Sequence, residues 1–240
     1  MKLQKLLSRT RQAIQDYNMI SQGDHIAIGV SGGKDSLALL YVLHSLTRFY
    51  PEKFHISAIT IDLGFGIQDF INIESLCKEL SIPFYLVKTD IASKVFSAEY
   101  SESPCYLCSK LRKGALYDKA AELHCNKIAF AHHKDDVVDT MMMSLVYEGR
   151  FHTFEPVTSL ERFELTLIRP FIYVNEGDIK GFIYTNNISV LKSGCPVDGY
   201  THRTYINHLL NNINKETHGV RNRLFTAIQN SEISGWKKKL

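Results

Sequence analysis

The sequence predicts an α/β protein: a parallel sheet with helices on both faces, followed by a helical C-terminal elaboration. Three observations lead there. Short apolar runs alternate with helical patterns through about residue 150, the signature of strand–helix–strand units. The segments between those runs are long enough for crossover helices. The 240 residues are 45% hydrophobic and 22% charged, which suits an ordinary globular chain and excludes disorder, collagen-like sequence and a disulfide scaffold.

The elements follow in order. Residues 2–17 read as a helix, because Leu3, Leu6, Leu7, Ile14 and Tyr17 fall at helical spacing. Gly23-Asp24 marks a turn, and His25-Ile26-Ala27-Ile28-Gly29-Val30 reads as a buried strand. A glycine loop, Ser31-Gly32-Gly33-Lys34-Asp35-Ser36, leads into a helix over 37–46. A second strand is expected over 54–61, a helix over 69–80 and a third strand over 83–87. A helix over 108–123, a fourth strand over 127–131 and a helix over 135–147 complete the alternation. Beyond it come a β-rich stretch ending at Arg169-Pro170 and helices near 176–186, 203–214 and 219–229. No linker composition interrupts the chain, so one domain is expected over 1–240. Within it, 1–20 form an N-terminal helix, 21–170 an α/β core and 171–240 the elaboration. No apolar run approaches the roughly 18 residues of a membrane span, and the first residues lack a signal-peptide core. A cytoplasmic location without membrane contact is the expectation.

The glycine loop is the strongest local signal. Strand–SGGKDS–helix puts it at the carboxyl end of the first strand, where open α/β sheets bind ligands. Gly32 and Gly33 are expected to take positive φ and let the backbone approach an anion. The next helix offers free N–H groups and its positive dipole end. Ser31 and Ser36 add hydroxyl donors, and Lys34 adds charge. The spacing is neither the Walker pattern nor G-x-G-x-x-G.

A second cluster, Ala131-His132-His133-Lys134-Asp135-Asp136, ends the fourth strand and opens a helix. Asp135 and Asp136 suit helix capping, and they equally suit a phosphate and Mg²⁺ site. His132 and His133 leave a strand as neighbours and point apart, which argues against a shared metal.

The five cysteines are Cys77, Cys105, Cys108, Cys125 and Cys195. Cys105-Tyr106-Leu107-Cys108 is a C-x-x-C, compatible with redox chemistry, half a zinc site or chance. Cys195 sits in a loop, Ser193-Gly194-Cys195-Pro196, upstream of Arg203. Soft thiolates select zinc or iron–sulfur clusters. Cys77 and Cys125 match no motif and read as buried filler.

Net charge is +3, from 28 basic and 25 acidic residues, too balanced to name a partner. The distribution is uneven. Lys2, Lys5, Arg9 and Arg11 crowd the start. Arg203, Lys215, Arg221, Arg223, Lys237, Lys238 and Lys239 face only Glu216 and Glu232 over residues 201–240. Basic ends suit an RNA ligand; a solvated helix face and a solubility tail account for the same charges.

Ser31 to Ser36, after an apolar strand, resembles the PP-loop of the ATP pyrophosphatase superfamily, whose fold is adenine nucleotide alpha hydrolase-like, or Rossmann-like. The resemblance implies that ATP is cleaved between its α and β phosphates. A carbonyl oxygen is adenylated, and a nucleophile then displaces AMP. It places Ser31, Gly32, Gly33, Lys34, Asp35 and Ser36 on the phosphates and Asp35 on Mg²⁺. It lays the adenine along Thr60, Ile61 and Asp62, sets His132 near the nucleotide, and puts Lys34 and Asp136 at the reacting centre.

The three clustered cysteines narrow the resemblance to the tRNA 2-thiocytidine synthetase family. The matching residues are the loop, Cys105-x-x-Cys108-Ser109-x-Leu111-Arg112-x-Gly114-x-Leu116-Tyr117, His132 to Asp136, Ile168-Arg169-Pro170, and Cys195 with Arg203 beyond it. They extend over residues 2–229. The family implies an ATP-dependent sulfurtransferase that 2-thiolates a tRNA cytidine at position 32. Cys105, Cys108 and Cys195 would hold a [4Fe-4S] cluster, leaving one iron open to a ligand such as hydrosulfide. Arg112, with Lys110 and Lys113, would guide the anticodon stem and serve the catalytic site. A sulfur donor such as a cysteine desulfurase and a homodimeric state are also implied. Two positions depart from the family. Ala131 replaces the usual glycine before the histidines, and Pro196-Val197-Asp198 replaces Gly-Ser-Gln after the third cysteine. The second change lies where the target base should approach, and so opens the identity of the acceptor.

Overall fold

The computed structural model describes residues 2–66, 70–96, 104–191, 194–195 and 202–237. Pro196-Val197-Asp198, Lys238 and Lys239 lie outside the described residues. Nine α-helices and six strands are assigned among those described. They run α1 (Lys2–Asp16), β1 (His25–Gly29), α2 (Lys34–Phe49), β2 (His55–Asp62), α3 (Ile71–Glu79), β3 (Phe84–Lys88), α4 (Ile91–Val95) and α5 (Pro104–Glu122). Then come β4 (Lys127–Ala129), α6 (Lys134–Glu148), β5 (Val157–Leu160), β6 (Leu165–Ile168), α7 (Glu176–Thr185), α8 (His202–Glu216) and α9 (Val220–Asn230).

The strands form one sheet in the order β3-β2-β1-β4-β6-β5. All neighbours are parallel except β5 and β6, which pair antiparallel. The four strands of the alternating region are parallel as expected, and the antiparallel pair lies in the β-rich stretch that follows it. The segment between β5 and β6 holds only a short 3-10 turn, Glu161–Phe163, too little chain for a parallel crossover.

Side chains of β1 alternate between two cores, as strand geometry requires. Ile26 and Ile28 join a large cluster with Leu6, Ile14, Leu39, Leu43, Phe171, Phe182, Leu210 and Ile228. Ala27 points the other way, into a smaller cluster with Ile128, Leu116, Tyr117 and Ala120. Both faces of β1 are thus apolar, as a covered parallel strand demands. Helix α5 supplies Leu116, Tyr117 and Ala120 to the second face, while α1, α2, α6, α7, α8 and α9 all reach the first.

Two features of this architecture position a site. The strand order reverses between β1 and β4, which opens a crevice beyond their carboxyl ends. Helix α5 belongs to the crossover from β3 to β4, so its N-terminus starts at that same edge. The helix begins at Pro104 rather than near 108. Proline at the first helical position costs no hydrogen bond, and the C-x-x-C is consequently helical.

Candidate active site

The crevice is flanked by the loop after β1 and the histidine–aspartate block after β4. Gly32 takes φ +79°. A Cβ there would stand 2.7 Å from the Leu191 Cβ and 3.0 Å from the Ile73 Cδ1, so the position is closed to any larger residue. Gly33 corrects the expectation: its φ is −73°, ordinary extended backbone, and it is the N-cap of α2. The two hydroxyls knit the loop. Ser36 Oγ accepts from the Ser31 N–H at 3.2 Å and donates to the Gly33 carbonyl at 3.0 Å, while Ser31 Oγ accepts from the Gly33 N–H at 3.3 Å. No side chain caps α2. Its first N–H groups therefore remain directed at whatever enters the crevice, the arrangement that binds phosphate elsewhere.

Lys34 reaches Asp35 Oδ2 at 2.8 Å and Glu176 Oε1 at 3.1 Å. Burial would lower the lysine pKa, but the hydrogen bonds and charges of Asp35 and Glu176 outweigh it and raise it. Burial would raise the Glu176 carboxyl; Lys180 and Lys34 overcome that and hold it at about 2. Glu176 carries no motif, and only its place at the start of α7 brings it to the loop. Asp35 Oδ1 is shut off from solvent and has no hydrogen bond among the described residues. An unpartnered hard oxygen of this kind fits a magnesium ligand.

Thr60, Ile61 and Asp62 end β2 beside the loop. The Thr60 hydroxyl is buried and donates to the Val30 carbonyl at 2.7 Å, so this segment offers a ligand its backbone rather than that hydroxyl. Asp62 Oδ1 accepts from the Gly64 N–H at 2.9 Å and shapes the turn that follows.

Across the crevice, His133 caps α6. Its Nδ1 accepts from the Asp136 N–H at 3.4 Å, and Asp136 Oδ2 accepts from the His133 N–H at 2.9 Å. The reciprocal pair is a capping box built on histidine. His133 Nε2 lies 3.7 Å from Asp35 Oδ1, which joins the two banks. Asp136 Oδ1 accepts from Arg203 at 2.8 Å. Asp136 thus caps α6 with one oxygen and holds Arg203 with the other. Arg221 lies 2.7 Å from Asp139 and 3.6 Å from Asp135. These contacts fasten α8 and α9 onto α6.

His132 turns away from His133. Its ring sits between Phe130 and Phe154, with centroids at 5.6 and 4.9 Å. Its Nδ1 is buried without a hydrogen bond among the described residues. Burial lowers its pKa to about 4; Asp136 opposes the shift, while Arg169, Arg203 and Lys113 reinforce it. The imidazole is neutral at physiological pH. Arg169 is itself buried, stacked 4.9 Å from the Phe154 ring, and donates to the Glu155 carbonyl and to Thr158 Oγ1. Burial lowers its pKa to about 10.

Lys113 connects this group to the cysteines, since it feels the charges of both Arg169 and Arg112. Cys108 interacts electrostatically with Cys105 and Cys195. Burial raises its pKa, Arg112 opposes the rise, and the other two thiols add to it. Cys105, from the same end of α5, and Cys195, from the C-terminal elaboration, thus both lie near enough to Cys108 to act on its charge, with Arg112 beside it. No three described His, Cys, Asp or Glu side chains converge on the single point that a lone metal ion needs. A [4Fe-4S] cubane takes each cysteine on a separate iron, so its thiols stand farther apart than those around one zinc. Three soft donors in electrostatic contact fit that group. Cys77 and Cys125 are buried elsewhere, with pKa values pushed up to about 11 by burial.

A family model described as a PP-loop domain matches residues 3–224. A tRNA-cytidine(32) 2-sulfurtransferase of Syntrophotalea carbinolica is 34% identical over 94% of this chain and 88% of its own length. The same-named protein of Geotalea uraniireducens is 36% identical over 94% of this chain and 91% of its own length. Among solved structures, the U34-tRNA thiolase NcsA from Methanococcus maripaludis with its [4Fe-4S] cluster superposes at a TM-score of 0.76. It aligns with 95% of this chain and 78% of that one at 20% identity, and so bears on the fold. On the family model and these relatives together, the chain belongs to the PP-loop family, in the branch of the tRNA 2-thiocytidine biosynthesis proteins.

Proposed function

We propose that this protein is an ATP-dependent sulfurtransferase that replaces the C2 oxygen of a tRNA cytidine, at position 32, with sulfur. The observation that carries the reading is the C-x-x-C at the start of α5, with Cys195 near enough to act on Cys108, on a PP-loop scaffold. Relatives that share most of its length are named for that reaction.

Ser31 to Ser36 and the uncapped start of α2 hold the triphosphate, and Asp35 takes Mg²⁺ through its unpartnered oxygen. Thr60, Ile61 and Asp62 present their backbone to the adenine. The base C2 carbonyl oxygen attacks the α-phosphorus and pyrophosphate leaves. Hydrosulfide then adds at C2, and AMP departs with the former carbonyl oxygen; where the donor is a cysteine desulfurase, whose persulfide carries sulfane sulfur, a thiol reductant supplies the two electrons that release it as hydrosulfide. Fixed backbone donors, Lys34 and the metal stabilise the charge that develops on phosphate. Neutral His132 adds no positive charge beside the nucleotide, and Arg203 orients Asp136 at the reacting centre. Cys105, Cys108 and Cys195 would hold a [4Fe-4S] cluster, which would supply a binding place for the incoming sulfur. Arg112 neutralises charge beside these thiolates. The target base must leave its stack to reach this position. The protein works in the cytoplasm as one PP-loop domain over 1–240, within a homodimer.

The test is iron and sulfide quantification on anaerobically purified protein, followed by thiolation of a tRNA pool. Iron and sulfide in equal amounts, with activity abolished in Cys195→Ala, are expected. Protein without iron, or full activity in that variant, overturns the reading. Pro196-Val197-Asp198 favours one alternative, the same chemistry on another acceptor. Nucleoside mass spectrometry of a deletion strain decides between them, because loss of 2-thiocytidine excludes it.

A further inference from the structure

A groove of about 430 Å³ runs along α5 beside the C-x-x-C. Its walls are Tyr106, Lys110, Lys113 and Tyr117 from the helix, with Arg162 and Phe163 from the 3-10 turn between β5 and β6. The helical residues recur at the spacing of one face. That face lies about a third of a turn from the one bearing Cys105, Cys108 and Arg112. The groove is the immediate neighbour of the thiols, since Tyr106 directly follows Cys105.

Three properties define what it suits. First, its cations have no acid among them: Lys110, Lys113 and Arg162 line the groove and no carboxylate does. Second, its apolar surface is aromatic and open. Tyr106 is 69% exposed, Tyr117 and Phe163 meet edge to face at 5.2 Å, and Arg162 lies 5.5 Å over the Phe163 ring. Third, space has been left in it. A Cβ added at Gly114 would meet nothing within 4 Å, although glycine is unfavourable in a helix interior.

We propose that this groove is a subsite for single-stranded RNA, in which a nucleotide next to the target base stacks on Tyr106 while its phosphates lie against Lys110, Lys113 and Arg162. The proposal rests on the tRNA reading above and adds where the loop is gripped. An exposed aromatic ring such as Tyr106, set beside cations, recognises bases whose π-faces are free. A duplex keeps those faces stacked and presents phosphate alone. The acid-free cation set favours a polyanion over a peptide.

The test uses the full-length holoprotein and fluorescence anisotropy with an anticodon stem–loop transcript, against a fully paired RNA of equal length. The parent is expected to prefer the stem–loop. Tyr106→Ala should weaken stem–loop binding by about five- to a hundredfold and leave duplex binding unchanged. Gly114→Leu, which extends into the groove from a Cβ position with nothing within 4 Å, should produce a loss of the same order. Arg162→Ala should reduce the salt slope of binding by about one. Unchanged thermal midpoints show that these are not folding effects. If the parent binds the stem–loop and all three variants match it, the groove assignment is overturned and a protein ligand takes its place. If the parent binds no stem–loop, the tRNA reading itself falls.

Discussion

Arg203 of α8 donates to Asp136 Oδ1 at 2.8 Å, while the other oxygen of that carboxylate caps its own helix through His133. The aspartate is held from both sides, by the N-cap of its own helix and by an arginine 67 residues further along the chain.

Removing that hold separates orientation from stability. The Arg203 side chain is 43% exposed, and ion pairs of this kind contribute about 0.5 kcal/mol. Arg203→Gln should therefore shift the thermal midpoint by less than about 3 °C. Thiolation should fall by about tenfold or more, since Asp136 loses its orientation. A large drop in the midpoint with specific activity intact would show that the contact is only a fastening.

The two loop glycines should respond differently. Gly32→Ala forces a Cβ into Leu191 and keeps a positive φ, so it should destabilise by about 2–4 kcal/mol and abolish ATP binding. Gly33→Ala has an ordinary φ and only Ser31 Oγ nearby, at 3.4 Å; it should cost less than about 1 kcal/mol. Urea denaturation and nucleotide titration check both. Equal penalties would contradict the geometry.

His132 makes stability depend on pH. Its folded pKa, about 4, lies below the ordinary value of 6.5, so the unfolded chain binds the extra proton between the two. The stability it confers is complete above pH 6.5 and is lost as pH falls toward 4, by roughly 2–3 kcal/mol. His132→Gln should flatten the corresponding part of the stability profile between pH 7 and pH 4.5, measured by denaturant titration.

The cysteines should divide into two sets. Cys77→Ala and Cys125→Ala should leave iron content unchanged and cost about 1–2 kcal/mol through lost packing. Cys105→Ala, Cys108→Ala and Cys195→Ala should each lose iron. In folded apoprotein at pH 7.5, iodoacetamide should spare Cys77 and Cys125, whose pKa values stand near 11. Mass spectrometry of the alkylated peptides reads this out.

The helical and strand pattern was legible where local periodicity and burial agree. Strand β1 is apolar on both faces, and α1 carries its stripe of Leu6, Leu7 and Ile14. The β5–β6 hairpin was visible only as β-rich sequence, because an antiparallel edge is decided by how little chain separates two strands. The helix at Ile91–Val95 was missed: five residues give no period to read. At the site, chemistry concentrated in short motifs could be named from the sequence. Glu176, Leu191 and Arg221 could not. Each acts through a partner distant in the chain, and its residue type alone says nothing. Gly33 shows the opposite error, a motif residue credited with a conformation that only its neighbour adopts.

Leu191 has one more implication. Its N–H donates to the Gly32 carbonyl at 2.9 Å, and Cys195 follows four positions later. The chain is thus moored at Leu191 on the glycine loop itself. Leu191 is therefore fixed to that loop twice, by this hydrogen bond and by the side chain that a Cβ on Gly32 would strike, so a change in the shape of the loop is felt first at residue 191.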